Sequence, residues 1–144
     1  MEVPILKQGP YLIASIQSAL HDADLVQLRD AIVEKVGKSR SKGVIVDVTA
    51  LDVIDSFSTR TLSDIAHMIR LRGAHTVIVG IQPEVAFAMV QLGLMLEDVT
   101  TALDLEEGLA YLDRKGFKSE RSDPRRRWLA ARQEAAGDHR GAVG

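Results

Sequence analysis

The chain predicts an α/β fold: one domain with a mixed, mostly parallel sheet and about four amphipathic helices, in the order ββαβαβαβα. Three observations predict it. Val44-Ile45-Val46-Asp47-Val48 and Thr76-Val77-Ile78-Val79 are β-branched runs of the kind that strands covered on both faces show. Helical periodicity fills the stretches between such runs, the pattern of crossover units around a parallel sheet. Glycine or proline punctuates most of the junctions.

Each element follows from local residues. Residues 3–8 and 11–17 are short and apolar, and Gly9-Pro10 between them breaks any helix, so they predict two strands joined tightly as an antiparallel edge. The second run also has the length of a buried helical turn. Asp22 or Asp24 is a suitable N-cap for a first helix, whose Leu25, Leu28, Ile32 and Val36 share one face and which Gly37 ends. A basic, flexible linker, 38–43, leads to the central strand 44–48. A loop, 49–55, precedes a second helix starting near Ser56, with Leu62, Ile65, Ala66 and Ile69 on its apolar face and Gly73 at its close. After the strand 76–79, Pro83 and Glu84 suit the first turn of a third helix that Gly93 stops. Residues 98–101 read as a weak last strand. Asp104 then caps a fourth helix carrying Leu105, Leu109 and Leu112.

The character changes after Gly116. Residues 117–144 hold seven Lys/Arg against four Asp/Glu, a net of +3, while the whole chain carries −2, so residues 1–116 carry −5. The division expected is therefore a domain at 1–116 and a basic, mobile tail at 117–144, dispensable for folding. Within that tail a short helix over Arg125–Ala136 would place Trp128, Leu129, Arg132 and Ala135 on one face.

Composition narrows the function classes. The absence of cysteine removes disulfide frameworks, thiol nucleophiles and Cys-rich zinc sites. Aromatic residues are only 4%, which leaves little for base stacking, and the slightly negative charge argues against nucleic-acid binding by the body. No apolar run reaches the length of a membrane helix, and Met1-Glu2-Val3-Pro4 does not start a signal peptide, so a cytoplasmic chain without membrane contact is expected. Phosphate-loop, dinucleotide-binding and nucleophile-elbow motifs are absent. The four histidines, His21, His67, His75 and His139, lack metal-ligand spacing, and the carboxylate pairs fit caps and solvated faces. No catalytic residue, metal or cofactor is expected.

One constellation stands apart: Asp47-Val48-Thr49, then Asp52-Val53-Ile54-Asp55-Ser56-Phe57-Ser58-Thr59. It follows the carboxyl end of the central strand and opens a helix, where open α/β sheets gather their reactive groups. Ser56 at or beside the helix N-terminus has two local readings, an N-cap or an acceptor of phosphate, and that helix end stabilises negative charge.

The stretch Val44 to Thr49 followed by Val53-Ile54-Asp55-Ser56-Phe57 resembles the phosphorylation region of the STAS family, the sulphate-transporter and anti-sigma-factor-antagonist domains. Gly80-Ile81-Gln82-Pro83-Glu84-Val85-Ala86, Leu92-Gly93, and Thr101-Ala102-Leu103-Asp104-Leu105-Glu106-Glu107-Gly108-Leu109 resemble its stressosome scaffold branch, as does Pro4-Ile5-Leu6-Lys7. The resemblance covers about residues 3–115 and implies a single STAS-type domain without enzymatic activity. It implies a scaffold in a large cytoplasmic hetero-complex with an RsbR-like STAS paralogue, holding an RsbT-like serine/threonine kinase and reset by an RsbX-like phosphatase. It makes Ser56 the phosphoacceptor, with Ser58 and Thr59 as competing hydroxyls, and Asp47, Asp52, Asp55 and Phe57 the partner-binding surface around it. Ala88, where RsbR-like siblings tend to have threonine, and the lack of a large N-terminal sensor region favour the short scaffold. A homo-oligomer, most simply a dimer, is expected of the isolated chain. The alternative implied by the same family is an anti-sigma-factor antagonist that binds an anti-sigma kinase one to one.

Overall fold

The gaps between strands are too long for hairpins after the first turn, and the chain answers with a helix in each. The computed structural model describes residues 3–96 and 99–122. Strands β1 (Ile5–Gln8) and β2 (Tyr11–Ser15) pair antiparallel across Gly9-Pro10, with Gln8 opposite Tyr11 and Ile5 opposite Ala14. Strands β3 (Gly43–Asp47), β4 (His75–Val79) and β5 (Thr100–Ala102) continue the sheet in parallel, in the spatial order β1-β2-β3-β4-β5. Helices α1 (Asp22–Ser39), α2 (Ser56–Leu71), α3 (Pro83–Leu92) and α4 (Leu105–Ser122) alternate with them. The predicted element order is the observed one.

Alternation along the strands builds two apolar layers, because successive side chains leave a strand on opposite faces. Leu12, Ala14, Val44, Val46 and Ile78 pack with Leu28, Ile32 and Val36 of α1 and Leu62, Ile65 and Ile69 of α2. Tyr11, Ile13, Ile45, Val77 and Val79 turn the other way and meet Leu105, Leu109 and Leu112 of α4. The central strands are thus buried on both faces, which is why they read as continuous apolar runs. The chain forms two compact units, Met1–Leu112 and Asp113–Gly144. Both layers belong to the first; in the second, α4 runs on past Gly116 to Ser122. The helix expected over Arg125–Ala136 lies outside the described residues.

Several boundaries differ from the expected ones. The run 11–17 is a strand, not a helical turn, and ends at Ser15. Strands β3 and β4 begin one position earlier than their β-branched runs, because Gly43 and His75 are register partners. Neither Asp22 nor Asp24 is the N-cap of α1; His21 is, and its backbone N–H donates to the Asp24 carboxylate at 3.3 Å. Gly37 does not end α1. The helix passes through it to Ser39 and closes on Arg40, whose φ is 50°. A Cβ at Gly37 would meet the Arg72 guanidinium, the movable end of a flexible side chain. The expected flexible linker is correspondingly shorter, with Lys38 and Ser39 in the helix and Ser41 buried. Gly93 and Asp104 behave as expected: Gly93 closes α3 at φ 67°, and the Asp104 carboxylate accepts the Glu107 N–H at 2.9 Å.

Candidate functional site

The loops leaving β3 and β4 meet at the carboxyl edge of the sheet. Asp47 ends β3, and its carboxylate accepts both the Thr49 backbone N–H at 2.9 Å and the Thr49 hydroxyl at 2.6 Å. This side-chain-to-backbone turn redirects the chain away from the sheet. Gln82, at the head of α3, donates its side-chain amide to the Thr49 carbonyl at 2.6 Å and ties the second loop to the first. Gly80 sits where the two loops touch: its φ is +82°, and any Cβ there would collide with the Thr49 hydroxyl. Asp47 therefore has a structural task in holding Thr49.

Ser56 is the first residue of α2, not its cap. The cap is Asp55, whose carboxylate accepts the Ser58 N–H at 2.7 Å. This corrects the reading of Ser56 as a capping hydroxyl; an aspartate in extended backbone one residue earlier satisfies the orphan N–H. The Ser58 backbone N–H, then the Ser58 hydroxyl, hold the Asp55 carboxyl below its ordinary value of 3.8.

Three hydroxyls open this helix, and their surroundings differ. Thr59 is buried, and its hydroxyl donates to the Asp55 carbonyl at 2.9 Å. Ser58 is half-buried, and its backbone N–H donates to the Asp55 carboxylate. Ser56 is exposed, and no hydrogen bond joins its hydroxyl to another of the described residues. Asp52 and Asp55 are exposed in the segment leading into α2, and Phe57 shows 37% of its surface. Val53, at 65% exposure, is an apolar side chain of the same segment.

Sequence reasoning gave Thr49, Gly80 and Gln82 no role in the contact between the two loops, because Gly80 and Gln82 meet Thr49 from more than thirty positions away. It also passed over a shallow groove of about 260 Å³ in which Ser56, Thr59, Arg60, Ser63 and His67 of α2 face Gly93, Leu94 and Met95. The helical spacing of its α2 members was the signal available. A larger recess of about 880 Å³, lined by Val3, Ile5, Gln17 and Leu28 among others, contains none of the predicted site residues. Among the described residues no group of three or more His, Asp or Glu side chains is placed to hold a metal, and no helix is long and apolar enough to cross a membrane.

Removing the cap gives a direct test of this local electrostatics. Asp55→Ala is expected to lower stability by about 0.5–2 kcal/mol at neutral pH. A depressed native pKa means that the stabilisation is complete above 3.8 and is lost as pH falls through the lower native value. Denaturant unfolding of both proteins at pH 7 and again near pH 2.5 is therefore expected to show the difference shrinking in acid. An unchanged difference at both pH values would contradict the assignment of Asp55 as an ionised cap.

Comparison with known proteins adds a second line of observation. A model of the STAS domain matches residues 2–108. A serine-to-glutamate variant of RsbS from Moorella thermoacetica superposes with a TM-score of 0.69 at 34% identity, covering 81% of this chain and 98% of that one. A chain from a structure of the stressosome, described as a signal integration and transduction hub, superposes at 0.67 with 36% identity, covering 78% of this chain and 98% of that one. The RsbT co-antagonist protein RsbRA of Bacillus subtilis (strain 168) is 31% identical over 83 residues. That match takes in 58% of this chain but spans only 30% of the relative's length.

Proposed function

This chain belongs to the STAS domain family, and from that premise we propose that it is a non-enzymatic stressosome scaffold and kinase substrate. It holds an RsbT-like serine/threonine kinase and releases it once Ser56 is phosphorylated. The observation that carries the reading is the contrast among the three hydroxyls: Ser56 alone of them is exposed and makes no hydrogen bond with another of the described residues, in a segment where Asp52, Val53, Asp55 and Phe57 are also exposed. The likeness to RsbS over nearly that whole chain supports the scaffold class.

In the reaction, the Ser56 hydroxyl oxygen attacks the γ-phosphorus of the kinase's ATP. Its proton passes to a base on the kinase, and ADP leaves. The product gains about −1.5 to −2 charges after a segment that already holds two exposed carboxylates, Asp52 and Asp55. Like-charge repulsion and lost fit then weaken the kinase contact. The deciding experiment is phosphopeptide mapping after incubation with an RsbT-like kinase and ATP. Label confined to Ser56 supports the reading; label only on Ser58, Thr59 or elsewhere overturns it. An RsbX-like phosphatase is proposed to remove the phosphate and restore binding.

The same reading predicts how the chain assembles. Light scattering on a sizing column is expected to show a dimer alone and a far larger particle with an RsbR-like paralogue. A strict monomer that no paralogue draws into particles would favour a one-to-one anti-sigma-factor antagonist instead. A cytoplasmic location is part of the proposal.

A further inference from the structure

We infer that Arg60 is the intramolecular partner of a phosphate on Ser56, so that the modified side chain is held along α2 at the groove both residues line. The inference rests on the proposed modification of Ser56 and names the residue that answers it.

Four residues separate Ser56 from Arg60 on one helix, so the two side chains are neighbours on a single face, with Cβ atoms about 5–6 Å apart. Both line the groove of about 260 Å³, and Ser63 and His67 continue the same stripe. Arg60 is exposed and makes no ion pair or side-chain hydrogen bond with another of the described residues. The surroundings on the other side of Ser56 are anionic. Asp55 immediately precedes it and keeps its carboxylate ionised by capping Ser58, and Asp52 is exposed in the same loop. A dianion on Ser56 is thus repelled by the loop and attracted along the helix. The opposite wall of the groove, Gly93, Leu94 and Met95, carries no charge. Arginine offers a planar fork of donors that matches phosphate oxygens, and the phosphate supplies three acceptors. The backbone N–H groups of the first turn that Asp55 leaves unused add to the same attraction.

The consequence is regulatory. The phosphate is held by the scaffold itself, which keeps the start of α2 intact in the modified state and limits access to the phosphoserine.

The test places phosphoserine at position 56 during translation, so that it does not depend on any kinase, and follows the phosphate by ³¹P NMR across pH. A free phosphoserine has a second pKa of about 6, and a paired cation lowers it. Arg60→Gln is expected to raise that pKa by about half a unit or more; Arg60→Lys is expected to recover part of the shift, since it keeps the charge but not the fork. His67 lines the same groove, so His67→Gln is the companion variant and is expected to move the value less than Arg60→Gln. Identical titrations for the parent and Arg60→Gln would overturn the inference, as would a full shift in His67→Gln alone. Kinase labelling of a residue other than Ser56 would instead overturn the proposed function, whatever the NMR titration shows.

Discussion

Ser56→Ala is expected to abolish phosphate incorporation by the kinase while leaving the fold and the kinase contact intact. The expectation is sharp because Asp55, not Ser56, caps α2, so removing the Ser56 hydroxyl breaks no hydrogen bond within the described residues. Its stability is expected to stay within about 0.5 kcal/mol of the parent. A serine cap would have cost about 0.5–2 kcal/mol and confused loss of modification with loss of structure. In a binding assay with ATP present, the parent is expected to release the kinase with time and Ser56→Ala to retain it. Ser56→Asp is expected to weaken binding less than phosphorylation does, because one carboxylate supplies a single charge and the phosphate nearly two. Continued release of the kinase from Ser56→Ala would show that the switch lies elsewhere.

Gly80→Ala is expected to be the most destabilising single methyl that the site admits, at about 3 kcal/mol. Two effects add. A side chain at a φ of +82° meets the steric penalty of left-handed backbone, about 1–2 kcal/mol. The new Cβ also collides with the Thr49 hydroxyl, which the Asp47 carboxylate holds in place. Gly73→Ala separates the two effects. Gly73 has a similar φ of +86° but open space around its Cβ position, so it carries the backbone penalty alone. Denaturant unfolding is expected to rank Gly80→Ala clearly below Gly73→Ala, and Thr49→Gly in the Gly80→Ala background is expected to recover part of the loss. Equal stabilities of the two alanine variants would mean that the β3 and β4 loops are not packed as the geometry shows. Gly80→Ala also displaces the loop carrying Asp52 and Asp55, so slower phosphorylation of Ser56 is expected alongside the lower stability.

Much of this was legible in the residues themselves. The β-branched runs 44–48 and 76–79, the periodic leucines and isoleucines of α1 and α2, and the Gly9-Pro10 break determine the element order, because burial on two faces or on one stripe leaves a local pattern. Ser56 was recognisable as a candidate from its place after a central strand and from its neighbours. Locally, however, a cap and a phosphoacceptor are the same residue in the same place, and the sequence had no means to separate them. The tertiary structure separates them. It puts the capping carboxylate of Asp55 on Ser58, buries Thr59 and leaves Ser56 exposed. It also ties the Asp47 carboxylate to Thr49, and brings in Gln82 and Gly80 from another loop. The contacts of Gln82 and Gly80 with Thr49 join residues more than thirty positions apart. Periodicity reports how one segment meets a core; which two loops meet at the sheet edge is decided only once β3 and β4 lie side by side in register.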